Sequence, residues 1–281
     1  MPGWHGVGNA QASLCHEGRA IVRGSLGHMH SPPESPISFE VGDEEGELIL
    51  PGLPDLEVCP GCRGVINGPY AHCRNCRENA ATLDGIVQEV VPISLYAKPS
   101  RLRDWLTFYK SAEETPQDPQ ALRAVGHILG RFLIENVAWL TALQPEAIVV
   151  VPSTMRPPPH PLSMVIETLR VVDVPVVPLL ARTALPLGHN APHRQAFRLA
   201  EGREAPARVL LVDDVYTSGA RGQSAAYALR EAGISVVGFC VIGRRYNPEW
   251  TPQAREVFER QKSAAFEWDI RARLATRTSP T

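Results

Sequence analysis

The sequence predicts an α/β protein, a parallel sheet flanked by helices, preceded by a small four-cysteine module and followed by a C-terminal helix. Three observations carry this reading. Short, mostly apolar runs at Ala147–Val151, Val174–Leu180, Arg208–Val212 and Ser235–Ile242 have strand length and alternate with helical periodicities, the pattern of strands covered on both faces. Cap and stop residues bracket the helical stretches between them. Four cysteines stand in two close pairs ahead of the first run.

Taken in order, residues 1–57 hold 6 Pro and 9 Gly and carry nine acids against two bases, a net of −7. A segment so polar and poor in aromatics cannot offset its ordering entropy by burial, so it is expected to be disordered, apart from a short strand at Glu47–Leu50. The remaining chain carries 26 bases and 21 acids, a net of +5 that mildly favours anionic ligands. Residues 58–80 form the cysteine module, 88–246 the α/β domain and 247–281 a terminal helix and tail. Leu102, Trp105, Leu106 and Tyr109 recur at helical spacing. Asp118 and Pro119 read as an N-cap and first-turn pair, followed by Leu122, Val125, Leu129, Phe132, Leu133, Val137 and Leu140 in helical period. Pro161–Val172 places Leu162, Val165, Ile166 and Leu169 on one helical face. Gly219–Ala232 reads as a helix stopped by Gly233. Thr251 and Pro252 open a last helix expected to run to about Arg273.

Composition excludes some classes. The chain has 281 residues, 44% hydrophobic and 21% charged, with net charge −2, values ordinary for a soluble globular protein. No apolar run approaches the roughly 18 residues of a membrane span, and Met1–His30 lacks the pattern of a signal peptide. A cytoplasmic location is expected, where six cysteines favour metal over disulfides.

The pairs Cys59-Pro-Gly-Cys62 and Cys73-Arg-Asn-Cys76 are spaced to bring four thiolates around one tetrahedral Zn²⁺. Two disulfides or a redox dithiol are the alternatives. No fifth ligand or general base stands near, so the zinc is read as structural. So short a module has little core of its own, and metal binding is expected to supply much of its folding free energy. Arg63, Arg74 and Arg77 are set against Glu57 and Glu78, too little basic charge for direct nucleic-acid binding.

The most informative stretch is Arg208-Val-Leu-Leu-Val-Asp213-Asp214-Val-Tyr-Thr217-Ser218-Gly219-Ala220-Arg221. A strand ends in two carboxylates, and a hydroxyl- and glycine-bearing loop leads into a helix. Such a loop can aim backbone N–H groups and a helix N-terminus at a phosphate. The carboxylates, at the carboxyl end of a strand, can accept from a vicinal diol or help hold a hydrated Mg²⁺.

This stretch resembles the signature of the type I phosphoribosyltransferases. With the cysteine pairs ahead of it, the chain resembles the ComF-like branch, which carries an N-terminal zinc ribbon and is linked to natural DNA uptake. The resemblance covers about residues 59–245. It implies that Asp213 and Asp214 hold the ribose hydroxyls of phosphoribosyl pyrophosphate as the catalytic acidic pair. It also implies that Thr217, Ser218, Gly219, Ala220 and Arg221 hold the 5-phosphate. Val150–Thr154 corresponds to the pyrophosphate strand and loop, with Ser153 and Thr154 as contacts and a strained cis peptide between them. Leu95–Lys110 corresponds to the hood segment and its lysine, and Mg²⁺ accompanies the pyrophosphate. Three departures stand out. Arg221 replaces a hydroxyl residue, Arg156-Pro-Pro-Pro-His160-Pro161 replaces a more basic stretch, and His189–Phe197 lacks the mobile loop's Arg-x-x-Asn. Arg221 either adds charge to the phosphate site or faces solvent. Two functions follow: transfer of a phosphoribosyl group to an unidentified base or amine, or a non-catalytic regulator or scaffold of DNA handling with protein partners.

Overall fold

The computed structural model describes residues 44–52, 55, 57–110, 117–153, 159–185, 190–202 and 204–275, all within one compact unit. The short strand expected at Glu47–Leu50 is present as a single antiparallel bridge. Glu45–Glu47 form a 3₁₀ turn, Leu48 is buried, and Ile49 bridges antiparallel to Leu95. Apolar residues at 48–50 find a sheet edge to cover. The expectation for residues 1–43 lies outside the described residues.

From the cysteines onward the elements are α1 (Arg74–Leu83), β1 (Val90–Tyr96), α2 (Arg101–Phe108), α3 (Pro119–Glu135), α4 (Val137–Leu143), β2 (Ala147–Val150), α5 (Pro161–Leu169), β3 (Leu180–Arg182), β4 (Phe197–Leu199), β5 (Arg208–Tyr216), α6 (Ala220–Glu231), β6 (Ser235–Arg245), α7 (Pro252–Lys262) and α8 (Ile270–Ala275). The caps act where the sequence places them. Asp118 accepts from the Gln120 N–H, Thr251 from the Ala254 N–H, and Gly233 has φ 77° after α6.

Four strands form a parallel sheet in the order β1-β6-β5-β2, with β3 and β4 paired antiparallel apart from it. Val176 adds a parallel bridge to Ile148 beyond β2. The strand expected at Val174–Leu180 shrinks to that bridge and β3, because Pro175 and Pro178 cannot donate to a ladder. Chain order across the sheet therefore reverses between β2 and β5: from β2 the chain passes through α5 to the 176 edge, and from β5 through α6 to β6 on the other side. Each face has its own core. Leu210, Val212, Cys240 and Ile242 pack with α2, α3 and α5, while Val209, Leu211, Phe239 and Val241 pack with α6 and the cysteine module.

Two helices are shorter than their periodicity predicts. The pattern running through Leu140 breaks at Asn136, 1% exposed, whose amide donates to the Phe132 and Trp268 carbonyls, both at 2.9 Å, and accepts from the Ile270 N–H at 2.8 Å. The terminal stretch breaks after α7 for the same reason: Trp268 and Ile270 leave the helical path to dock on that joint and join the α2–α3 core.

Gly243 of β6 sets where α2 lies. A Cβ there would come within 2.5 Å of Leu106 and 3.0 Å of Tyr96. Gly243→Ala should destabilise the protein by about 1–3 kcal/mol, since overpacking exceeds the roughly 0.5–1 kcal/mol gained by removing a strand glycine. Denaturant unfolding that showed equal or greater stability would contradict this placement of α2.

Candidate functional site

β5 runs on to Tyr216, so Asp213 and Asp214 sit inside the paired strand rather than beyond its end. Adjacent strand residues ordinarily point to opposite faces. Here the alternation slips. Leu210 and Val212 belong to one core and Val209 and Leu211 to the other, but Val215 joins the first and Tyr216 the second. The slip falls on the two aspartates and lets both reach one guanidinium.

The carboxylates are 1% and 0% exposed. Arg221, in the first turn of α6, donates to Asp213 at 2.6 and 3.3 Å and to Asp214 at 3.4 Å. The end of α2 delivers Tyr109, whose hydroxyl donates to Asp214 at 2.6 Å, and Lys110, whose ammonium pairs with the same carboxylate. Burial raises the Asp213 carboxyl to about 6 against the opposing pull of Arg221. Burial also acts on Asp214, but Lys110 and Arg221 outweigh it and hold that carboxyl well below its usual range. Burial and the nearby Asp214 push the Tyr109 phenol well up, which keeps it a donor. The Arg221 guanidinium turns back onto the acids, with its side chain 26% exposed.

The loop that follows is held from below. Gly219 caps α6 at φ 82°, and a Cβ on it would lie 2.0 Å from the Tyr216 hydroxyl oxygen, so no other residue fits. The Ser218 hydroxyl accepts from the Ala220 N–H, and the Ser218 carbonyl accepts from the Asn79 amide at 3.0 Å. Thr217 is half-buried. Just past β2, the Val151 N–H donates to the Val212 carbonyl at 2.9 Å, so Ser153 leaves the sheet beside the acidic pair. Thr154, the expected cis peptide, Arg156 and His189 lie outside the described residues.

All four module cysteines converge. Their sulfurs lie within 4.8 Å of one another, Cys62 and Cys73 at 3.5 Å, and each residue is at most 5% exposed. A tetrahedral Zn²⁺ with bonds of about 2.3 Å needs sulfurs about 3.8 Å apart, so the four can hold a structural metal such as zinc. All four are free thiols rather than disulfides. Cys62 is held well below its usual range by hydrogen bonds from its neighbouring thiols and by Arg244, while Cys73 and Cys76 are pushed up. Four buried thiolates cannot ionise together without a cation among them.

The two pairs are not alike. Cys59 and Cys62 flank a tight turn in which the Cys59 N–H donates to the Gly64 carbonyl at 2.8 Å. Cys73 is the N-cap of α1 and Cys76 lies in its first turn, where the helix dipole favours thiolates. Nor does the module stand without a core. Its cysteines pack in one cluster with Val90, Leu229, Phe239 and Val241.

A cavity of about 280 Å³ opens beside the loop, lined by Thr217, Arg244, Arg245, Asn190, Arg74 and Trp250 among others. Asp213 and Asp214 do not line it. Three residues of the site are missed by motif reasoning. Tyr109 is hidden in a helical apolar period and Asn79 carries no local signal. Arg244 has one, a charge closing an apolar strand run. No protein-family model and no curated protein matches the chain. Among the described residues no helix is long and apolar enough to cross a membrane.

Purified protein should carry about one zinc per chain, and Cys62→Ser should remove it by elemental analysis; full-length protein folded with no metal would refute the site. Stability should also fall as pH rises from about 4 to 6. A raised carboxyl binds its proton more tightly folded than unfolded, so that contribution is present below the unfolded value near 4 and lost through about 6. Unfolding curves of Asp213→Asn should lack this decline, which should amount to about 1–3 kcal/mol.

Proposed function

We propose that the chain binds phosphoribosyl pyrophosphate with Mg²⁺ and transfers the phosphoribosyl group to a base or amine. One observation carries the reading. The strand order reverses between β2 and β5, the acidic pair lies near the end of β5, and the loop Thr217–Arg221 leaves the sheet at that reversal, where open α/β sheets bind ligands. Asp213 and Asp214 accept from the ribose 2- and 3-hydroxyls. Thr217–Arg221 and the first turn of α6 take the 5-phosphate. Ser153 and Thr154 face the pyrophosphate.

Breaking the bond from C1 to pyrophosphate passes through an oxocarbenium-like state, which calls for positioning and charge stabilisation rather than a nucleophile. Before substrate arrives, Lys110 and Arg221 neutralise the two acids. When the diol takes the carboxylates, these cations are released toward the phosphates, so total charge in the site changes little. The acids already face two cations and offer no open seat for a third. Mg²⁺ would therefore come with the pyrophosphate rather than be held by Asp213 or Asp214, and the chemistry it would supply is neutralisation of the leaving group's charge.

A second reading is a non-catalytic regulator or scaffold on the same fold. It is favoured by the closure of both carboxylates, which the cavity beside the loop does not reach.

Titration calorimetry separates the two. Phosphoribosyl pyrophosphate with Mg²⁺ should bind, and Asp214→Asn should weaken it about ten- to a hundredfold without weakening inorganic phosphate. No heat at millimolar ligand would remove the enzyme reading and leave the regulator.

A further inference from the structure

The residue that joins the cysteine cluster to the rest of the protein is Arg244. It is 5% exposed, at the end of β6. Its Nε donates to the Cys62 carbonyl at 2.9 Å, and its Nη2 lies 3.6 Å from the Cys62 sulfur. Its Nη1 donates to the Thr217 carbonyl at 2.6 Å and to the Tyr216 carbonyl at 3.3 Å. One guanidinium therefore touches a cluster sulfur and the two peptide groups where β5 becomes the loop. The knuckle is shaped to admit it, since a Cβ on Gly64 would lie 2.6 Å from Nη2.

A second, independent tie runs through α1. Asn79, 1% exposed and three residues after Cys76, donates to the Ser218 carbonyl at 3.0 Å. The carbonyls of Tyr216, Thr217 and Ser218 are thus all held from the cluster side. In a trans peptide the N–H of the next residue lies anti to that carbonyl. Fixing the Thr217 and Ser218 carbonyls toward the cluster turns the Ser218 and Gly219 N–H groups away from it, toward the mouth of the loop.

We propose that the cysteine cluster orients the Thr217–Arg221 loop through Arg244 and Asn79, so that a metal held by Cys59, Cys62, Cys73 and Cys76 determines whether the loop's N–H groups are set to receive an anion. Arg244 and Asn79 are positioning residues, since both bond to backbone carbonyls of the loop. The charge logic supports the link. Four thiolates around a dication leave a net negative centre, which a buried guanidinium 3.6 Å from one sulfur balances. Without the metal the knuckle loses its folding restraint, and with it the fixed Cys62 carbonyl and sulfur that hold Arg244. That the loop's anion is a 5-phosphate rests on the function proposed above; the mechanical link does not.

Hydrogen exchange on the full chain tests the link without needing a substrate. In zinc-loaded protein, Asn79→Ala and Arg244→Met should each speed amide exchange over residues 217–221 by about tenfold, the loss of one to two buried hydrogen bonds. The sheet amides of 147–150 and 239–242 should keep their protection. Zinc should remain at one equivalent in Asn79→Ala, which touches no sulfur. Removing zinc from wild type should reproduce the faster loop exchange. Inorganic phosphate affinity should fall about tenfold in each case. Equal loop exchange in wild type and both variants at equal zinc content would overturn the proposal. If Arg244→Met does not fold, Asn79→Ala decides by the same criterion. Loop exchange that responds to zinc in a protein that binds neither phosphate nor phosphoribosyl pyrophosphate would uphold the link and reject the proposed function.

Discussion

Two adjacent carboxylates buried in the middle of a parallel sheet are the constraint on which this structure turns. Stripping water from an ionised carboxylate costs several kcal/mol, and two side by side repel each other as well. The fold meets this with cations from two directions, Arg221 from the first turn of α6 and Lys110 from the end of α2. Tyr109 adds a neutral donor to the carboxylate that stays ionised. Neither helix could lie far from its present place without leaving a buried charge unpaired.

That requirement explains features distant from the carboxylates. Gly243 lets α2 cross β6 closely enough for its last turn to reach β5. The slip in side-chain alternation of β5 falls around the two aspartates, which share the Arg221 guanidinium, at the expense of regular packing on either face. Tyr216, the second residue beyond the slip, lies on the cysteine side, where its ring lies beneath Gly219 and its guanidinium neighbour Arg244 sits 5.2 Å from the ring centre. The acid pair, the loop and the cysteine cluster are consecutive consequences of one strand's path.

Much of this path is legible in the sequence, for definable reasons. The caps at Asp118, Thr251 and Gly233 are local chemistry, and local chemistry survives folding. The four cysteines are legible because metal geometry dictates their spacing. What escapes is non-local. Helical periodicity cannot show that α3 must break at Asn136, because the carbonyl and N–H that hold its amide come from residues 268 and 270. Composition cannot show that residues 44–52 cover a sheet edge. A motif reading of Asp213–Arg221 assigns each residue to a ligand and so misses that, in the protein itself, they bond to one another.

Arg221 illustrates what that interdependence does. A cation in the first turn of a helix opposes the dipole by about 0.3–1 kcal/mol where exposed, which is why a hydroxyl suits the position better in isolation. Here two carboxylates within 3.4 Å more than offset that term. A hydroxyl in its place would leave Asp213 buried without its nearest counter-charge, and the carboxyl would hold its proton instead of its charge. The arginine and the acidic pair are therefore one unit, and the departure at 221 is a change in how the site stays neutral rather than the loss of a single contact. One guanidinium cannot face the carboxylates and a bound phosphate in full at once. Under the proposed function, a ligand that offers hydroxyls to the acids would free the arginine for its own phosphate, whereas phosphate alone would have to draw it away from two carboxylates. A molecule carrying a diol and a phosphate on one frame would then be favoured over either half by more than the sum of its contacts.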